Sequence, residues 1–170
     1  MSDTALRFLQ MSFFSYSDYI LNEHNKEEFA PAHTAEHLLN QTMIRMFGCK
    51  RSTNAHIERK KSKITYILDQ KPSRKDEKEI ERRMNELIEE DLPVKFKFVT
   101  RQDIPDSVEL TNLPDNASET IRLVYIGDYD VCPCIGKHVR STAQIGHFEL
   151  LGTNWDEHTH GFRIRYKVVQ

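Results

Sequence analysis

Two stretches of the chain repeat apolar residues at helical spacing. In APAHTAEHLLNQTMIRMFG, Leu38, Leu39, Thr42, Met43 and Met46 fall on one face. Pro31 suits a first helical turn, and Gly48 follows the last periodic residue as a C-cap. In KPSRKDEKEIERRMNELIEEDLP the stripe is Ile80, Met84, Leu87 and Ile88. Ser73 with Asp76 three residues later forms a capping box, and Pro93 lies beyond the end. Strand patterns differ. HIERKKSKITYILD (56–69) turns β-branched and aromatic toward its end and predicts one strand. VKFKFV (94–99) alternates with period two and predicts a half-buried strand. TIRLVYIG (120–127), IGHFELLG (145–152) and GFRIRYKVV (161–169) are further strand candidates. Pro, Asp and Asn are dense around 103–119, which predicts a loop; residues 5–23 fit neither period and read as helix or strand. Helices and strands come in blocks rather than in strict alternation, which predicts an α+β fold with a mainly antiparallel sheet.

Length and composition narrow this picture. A chain of 170 residues with 38% apolar and 29% charged positions is expected to form one domain, 1–170, with a real core. No apolar run approaches the length of a membrane span. The N-terminus lacks a basic n-region and an unbroken apolar h-region, so a cytoplasmic protein with reduced cysteines is expected. The net charge of -2 excludes a global attraction to nucleic acid. The charge is nevertheless uneven: KRSTNAHIERKKSK (Lys50 to Lys63) sets a run of Lys and Arg against one Glu. Such a segment is either a solvated face or a phosphate-binding one.

The candidate chemistry lies in two places. His33 and His37 are four apart on the first helix, so both imidazoles share one face a turn apart. CPCIGKHVRSTAQIGHFELL, from Cys132, repeats that spacing in Cys134 and His138, with Gly136 allowing a tight turn between them through dihedrals other residues avoid. By itself this stretch leaves a disulfide, a redox pair and a metal site open. The missing export signal weakens the first, and the histidine helix favours the third. Three imidazoles and a thiolate suit tetrahedral zinc. Cys132 is the rival thiol, and Cys134 is preferred because its spacing to His138 mirrors the helical pair. A zinc-protease motif, H-E-x-x-H, is absent: in HTAEH the glutamate is Glu36, beside His37, which is expected to turn its carboxylate off the ligand face. His56, His147, His158 and His160 read as surface groups or as neighbours of a site rather than ligands.

HTAEHLL followed by CIGKHVRSTAQIGHFEL resembles the editing domain of alanyl-tRNA synthetase, of the free-standing alanyl-tRNA editing proteins and, in related form, of threonyl-tRNA synthetase. Those families open a helix with H-T-A-x-H-L-L and place C-x-G-x-H-V, then T-x-x-I-G-x-F, about a hundred residues later. LPVKFKFV and GFRIRYKV are also similar, so the resemblance covers roughly 30–169, with 1–30 as an N-terminal extension; the short free-standing form is the nearest comparison. It implies a two-layer α+β fold and zinc held by His33, His37, Cys134 and His138. It implies hydrolysis of the ester joining serine or glycine to alanine-specific tRNA. Lys137 stands where the families carry Thr or Pro, TAQIG stands for T-G-E-I-G, and the stretch near TNAH (53–56) lacks a Q-x-G-S element.

The chemistry expected on that basis needs an activated water, an oxyanion contact and a grip on substrate. Lys137 is the candidate for the oxyanion or a tRNA phosphate. Thr34, Thr53 and Thr142 are hydroxyl candidates for recognising a seryl group. The basic segment 50–63 with Lys71, Arg74 and Lys75 is the candidate for the acceptor stem of tRNA. The competing readings are a non-catalytic zinc-stabilised module that binds tRNA or protein, and a hydrolase of another ester or amide.

Overall fold

A computed structural model describes residues 28–110 and 119–170. The ambiguous pattern at 5–23, nearly all of the expected N-terminal extension and residues 111–118 of the expected loop lie outside the described residues. Among these residues two helices, α1 (Ala30–Phe47) and α2 (Arg74–Glu89), pack with seven strands. The strands are β1 (Asn54–His56), β2 (Ser62–Ile67), β3 (Val94–Thr100), β4 (Thr120–Ile126), β5 (Asp130–Pro133), β6 (His147–Asp156) and β7 (Gly161–Val169). They form two antiparallel sheets, of order β1-β2-β7-β6 and β3-β4-β5. The fold is α+β.

Both helices end as their sequences dictate. Pro31 occupies the first turn of α1, where a missing N–H costs nothing. Gly48 closes it at φ 65°, a left-handed cap that glycine adopts without a Cβ clash. Ser73 and Asp76 make the reciprocal capping box of α2. The predicted stripes are buried: Leu38, Leu39 and Met43 from α1 and Ile80, Met84, Leu87 and Ile88 from α2 share one core with Ile64, Tyr66, Phe148, Phe162, Ile164 and Tyr166 of the larger sheet. Each such side chain contributes about 1.5–3 kcal/mol on burial. Polar ties fix the layers in register. Asn85 of α2 donates to the Phe148 carbonyl and accepts its N–H, both across to β6. Tyr166 donates its hydroxyl to the Ala32 carbonyl at the start of α1.

Three strand predictions need correction. The stretch 56–69 is not one strand. It holds only the end of β1 and then β2, because Ser62 Oγ accepts the Glu58 N–H and donates to the Glu58 carbonyl, closing the basic segment between them into a turn. The strand expected from 145 begins at His147, since Thr142–Ile145 forms a 3-10 turn. VKFKFV is buried only at Val94 and Val99: Phe96 is 48% and Phe98 68% exposed. β5, four residues with Asp and Pro at its ends, carries too short a pattern to be read from sequence.

Candidate metal centre

α1 sets His33 and His37 on the face that meets the loop after β5. That loop brings Cys134 and His138 to them. One ligand atom from each of these four residues lies within 4.8 Å of every other. Cys134 Sγ is 3.5 Å from His33 Nε2 and 3.4 Å from His138 Nε2. The three imidazoles crowd together, with ring centroids 4.3 Å apart for His33 and His138 and 4.4 Å for His37 and His138. Four such donors converging on one point can hold a metal ion.

The surrounding contacts orient the rings. Thr34 Oγ1 donates to the Ala30 carbonyl, so its oxygen is left to accept from the Val139 N–H and from His138 Nδ1. That assigns the proton of His138 to Nδ1 and leaves Nε2 with its lone pair toward Cys134. Glu28 accepts from His33 Nδ1 at 2.7 Å and from the Lys137 N–H at 2.8 Å, which ties the helix start to the loop. Asp130 faces His37 Nδ1 at 3.7 Å and is itself held by Arg51.

Gly136 is required for a reason other than the expected one. Its φ is not in the left-handed region; instead a Cβ there would strike the His33 ring and Glu28. Arg122 of β4 fixes the same loop, donating to the carbonyls of Cys134 and Gly136.

Burial holds His37 well below the usual histidine range and His138 at about 3, in both cases reinforced by neighbouring cations, so both rings are neutral and able to ligate. His33 behaves oppositely. Burial lowers it, but the hydrogen bond and charge of Cys134, with Glu36 and Glu28, outweigh that and raise it to about 9.

The glutamate of HTAEH is also placed differently from its expected position. Glu36 is half-buried, accepts from Asn40 and sits with Oε2 3.8 Å from His37 Nε2. It lines, with His33, His37, Arg51, Ser52 and Cys134, a cavity of about 180 Å³ beside the histidines. A residue directly before His37 on a helix is turned about 100° from it, yet the cavity wraps that far around α1. Burial raises the Glu36 carboxyl above its ordinary range.

The other predicted residues separate. Cys132 is buried against His37 Nδ1 at 3.2 Å and joins Asp130 rather than the four-residue set, and burial pushes its thiol well up. Lys137 is exposed beside the site. Thr34 reaches the site, but through His138. Thr142 does not point a free hydroxyl at it: Oγ1 donates to the Leu87 carbonyl and accepts the Leu92 N–H, tying the end of α2. Thr53 is exposed. In the basic segment Arg51 is committed to Asp130, and Arg59 lies over the Phe29 ring at 4.2 Å. Glu28, Arg51, Asp130 and Arg122 carry no spacing signal in the sequence; contacts over long separations define their roles.

Comparison with known proteins gives the same direction. The profile of the threonyl and alanyl tRNA synthetase second additional domain matches residues 121–164, which include Cys134 and His138. The chain is 29% identical over 136 residues to an alanine–tRNA ligase of Methanococcus maripaludis, and 30% over 136 residues to one of Methanococcus vannielii. Each match covers 78% of this chain and 15% of the relative. An alanine–tRNA ligase of Treponema denticola is 27% identical over 131 residues, 73% of this chain and 21% of that protein. The chain therefore spans only about a fifth or less of the length of these relatives. Through the threonyl and alanyl tRNA synthetase second additional domain, this chain is related to the alanine–tRNA ligases.

Proposed function

We propose that this protein is an aminoacyl-tRNA hydrolase that acts in trans, removing serine or glycine wrongly esterified to tRNA(Ala), with zinc held by His33, His37, Cys134 and His138. The observation that carries this reading is the convergence of those four donors from α1 and the loop after β5. The donor set fits zinc: Zn–N of about 2.0–2.1 Å and Zn–S of about 2.3 Å in a tetrahedron put N and S about 3.5 Å apart, and the two closest S···N separations are 3.4 and 3.5 Å. Zinc at such a centre supplies Lewis acidity toward a carbonyl or toward water.

The chain's own residues supply the rest. Glu36 lines the cavity as a carboxylate placed to take a proton from an attacking water. The water oxygen bonds to the ester carbon, the ester bond to the ribose breaks, and free amino acid and tRNA hydroxyl result. Lys137, at the rim, is the contact for the developing oxyanion or a terminal phosphate. Thr34 acts by holding His138. The proposed hydrolase is one domain, 1–170, acting in the cytoplasm.

The test is deacylation of Ser-tRNA(Ala), Gly-tRNA(Ala) and Ala-tRNA(Ala) by the zinc-loaded protein. Turnover of a mischarged species with Ala-tRNA(Ala) spared supports the proposal; a folded, zinc-loaded protein inert toward all three refutes it. One observation favours a second reading. Four side-chain donors leave no open position, which is the pattern of a structural site. A non-catalytic module of that kind binds tRNA or protein without turnover and unfolds on chelation.

A further inference from the structure

α1 begins without a capping side chain: its N-cap is Phe29, whose side chain offers no acceptor to the first helical N–H groups. The acidic residue beside it, Glu28, is turned elsewhere. Its Oε1 accepts from His33 Nδ1 at 2.7 Å and from the Lys137 N–H at 2.8 Å. One oxygen therefore holds both a candidate ligand on α1 and the backbone of the loop that carries Cys134 and His138. Gly136 closes the same contact, because a Cβ there would strike the His33 ring and Glu28 Oε1 together. The bond to Glu28 places a proton on His33 Nδ1 and aims Nε2 at Cys134 Sγ, 3.5 Å away.

Glu28 is itself supported from behind. Phe29 packs against the main core, and the Arg59 guanidinium lies 4.2 Å from the centre of its ring. Arg59 comes from the turn that the Ser62–Glu58 clasp closes, so the basic segment meets the candidate metal centre through Phe29 and Glu28. The Glu28 side chain is 39% exposed and that of His33 18%. Water screens the charge of so exposed a carboxylate, so its effect lies in where the oxygen stands rather than in the charge it carries. We infer that Glu28 is a positioning residue of the candidate metal centre. It sets the tautomer and rotation of His33 and holds the Cys134–His138 loop against α1, so that the donors converge before a metal arrives. The inference rests on the zinc site of the proposed function and not on its turnover.

The experiment is a zinc competition against a chromophoric chelator with wild type, Glu28→Ala, Glu28→Asp and Glu28→Gln. Circular dichroism confirms the fold of each metal-free protein. Glu28→Asp keeps the charge but withdraws the oxygen by one C–C bond, about 1.5 Å. Glu28→Gln keeps the oxygen in place and removes the charge. The Ala and Asp variants are expected to weaken zinc binding about 10- to 100-fold, the range for losing a partner that orients a ligand, and the Gln variant to stay close to wild type. In the same samples the His33 Nδ1 proton is followed by nitrogen-edited proton NMR. It is expected to be protected from exchange in wild type and the Gln variant and to exchange rapidly in the Ala and Asp variants, a signature that a general loss of stability does not reproduce. Unchanged affinity in the Ala variant, affinity kept by the Asp variant, or a Gln variant as weak as Ala overturns the inference. A wild type that binds no zinc overturns it together with the zinc site. The expected ranking supports it even where no ester is turned over, so failure of the hydrolase reading is separately visible.

Discussion

Thr34 Oγ1 lies 3.0 Å from His138 Nδ1 across 104 residues of chain, and this contact joins the two halves of the candidate metal centre. It fixes the tautomer of one proposed ligand from the helix that carries two others. Removing the hydroxyl while keeping its volume leaves His138 Nδ1 without an acceptor. Thr34→Val is expected to lower zinc affinity about 10- to 100-fold, the usual effect of losing an outer-shell partner, with Thr34→Ser close to wild type. Competition against a chromophoric chelator measures both.

In the pair Arg51–Asp130 beside His37, Asp130 is buried and Arg51 half-buried, and among the described residues neither Arg51 Nη1 nor Asp130 Oδ2 has a hydrogen-bond partner. Breaking it strands a charge in the interior. Asp130→Ala or Arg51→Met is expected to cost about 3–5 kcal/mol of stability. Urea denaturation of the metal-free protein reports the loss, and replacing both residues together by apolar ones is expected to recover much of it.

If the four-residue cluster holds zinc as proposed, binding is expected to depend on pH through His33. In the metal-free protein its pKa is raised to about 9, so below that pH a proton occupies a ligand position and must leave as metal binds. Affinity is therefore expected to rise with pH up to about pH 9, by at least the tenfold per unit that one displaced proton gives. His37 and His138 are held neutral in the same range and add no further slope. Calorimetric titration in buffers of different ionisation heat counts the released proton.

Glu36 separates catalysis from metal retention. Glu36→Gln keeps the shape and the Asn40 contact but cannot accept a proton at neutral pH. It is expected to bind zinc as wild type does and to lose about 10²- to 10⁴-fold in deacylation rate. Equal rates in the two proteins would assign the carboxylate a packing role.

What the sequence made legible follows from where its signals are local. His33 and His37, four apart on a helix with a proline start and a glycine stop, define their own geometry; so do Ser73 and Asp76. The α+β class followed from the order of periodic blocks. The hairpin of β1 and β2 was not legible because the Ser62–Glu58 clasp interrupts what reads as one pattern. Glu36 shows a different limit: helical angle alone turned it away from the ligands, and only the packing of β5 and Arg51 against α1 put its carboxylate on the cavity wall. Thr142 looked like chemistry because it sits in a motif, and it is a tie between α2 and its following turn.

The central claim is that His33, His37, Cys134 and His138 hold one zinc ion. Metal content of purified wild-type protein, His33→Ala, Cys134→Ala and Cys132→Ser, read by elemental mass spectrometry alongside circular dichroism, tests it most directly. The account predicts about one zinc per chain in wild type and Cys132→Ser, and its loss from the folded His33→Ala and Cys134→Ala variants. Zinc retained in both of those variants, or lost from Cys132→Ser alone, would contradict it.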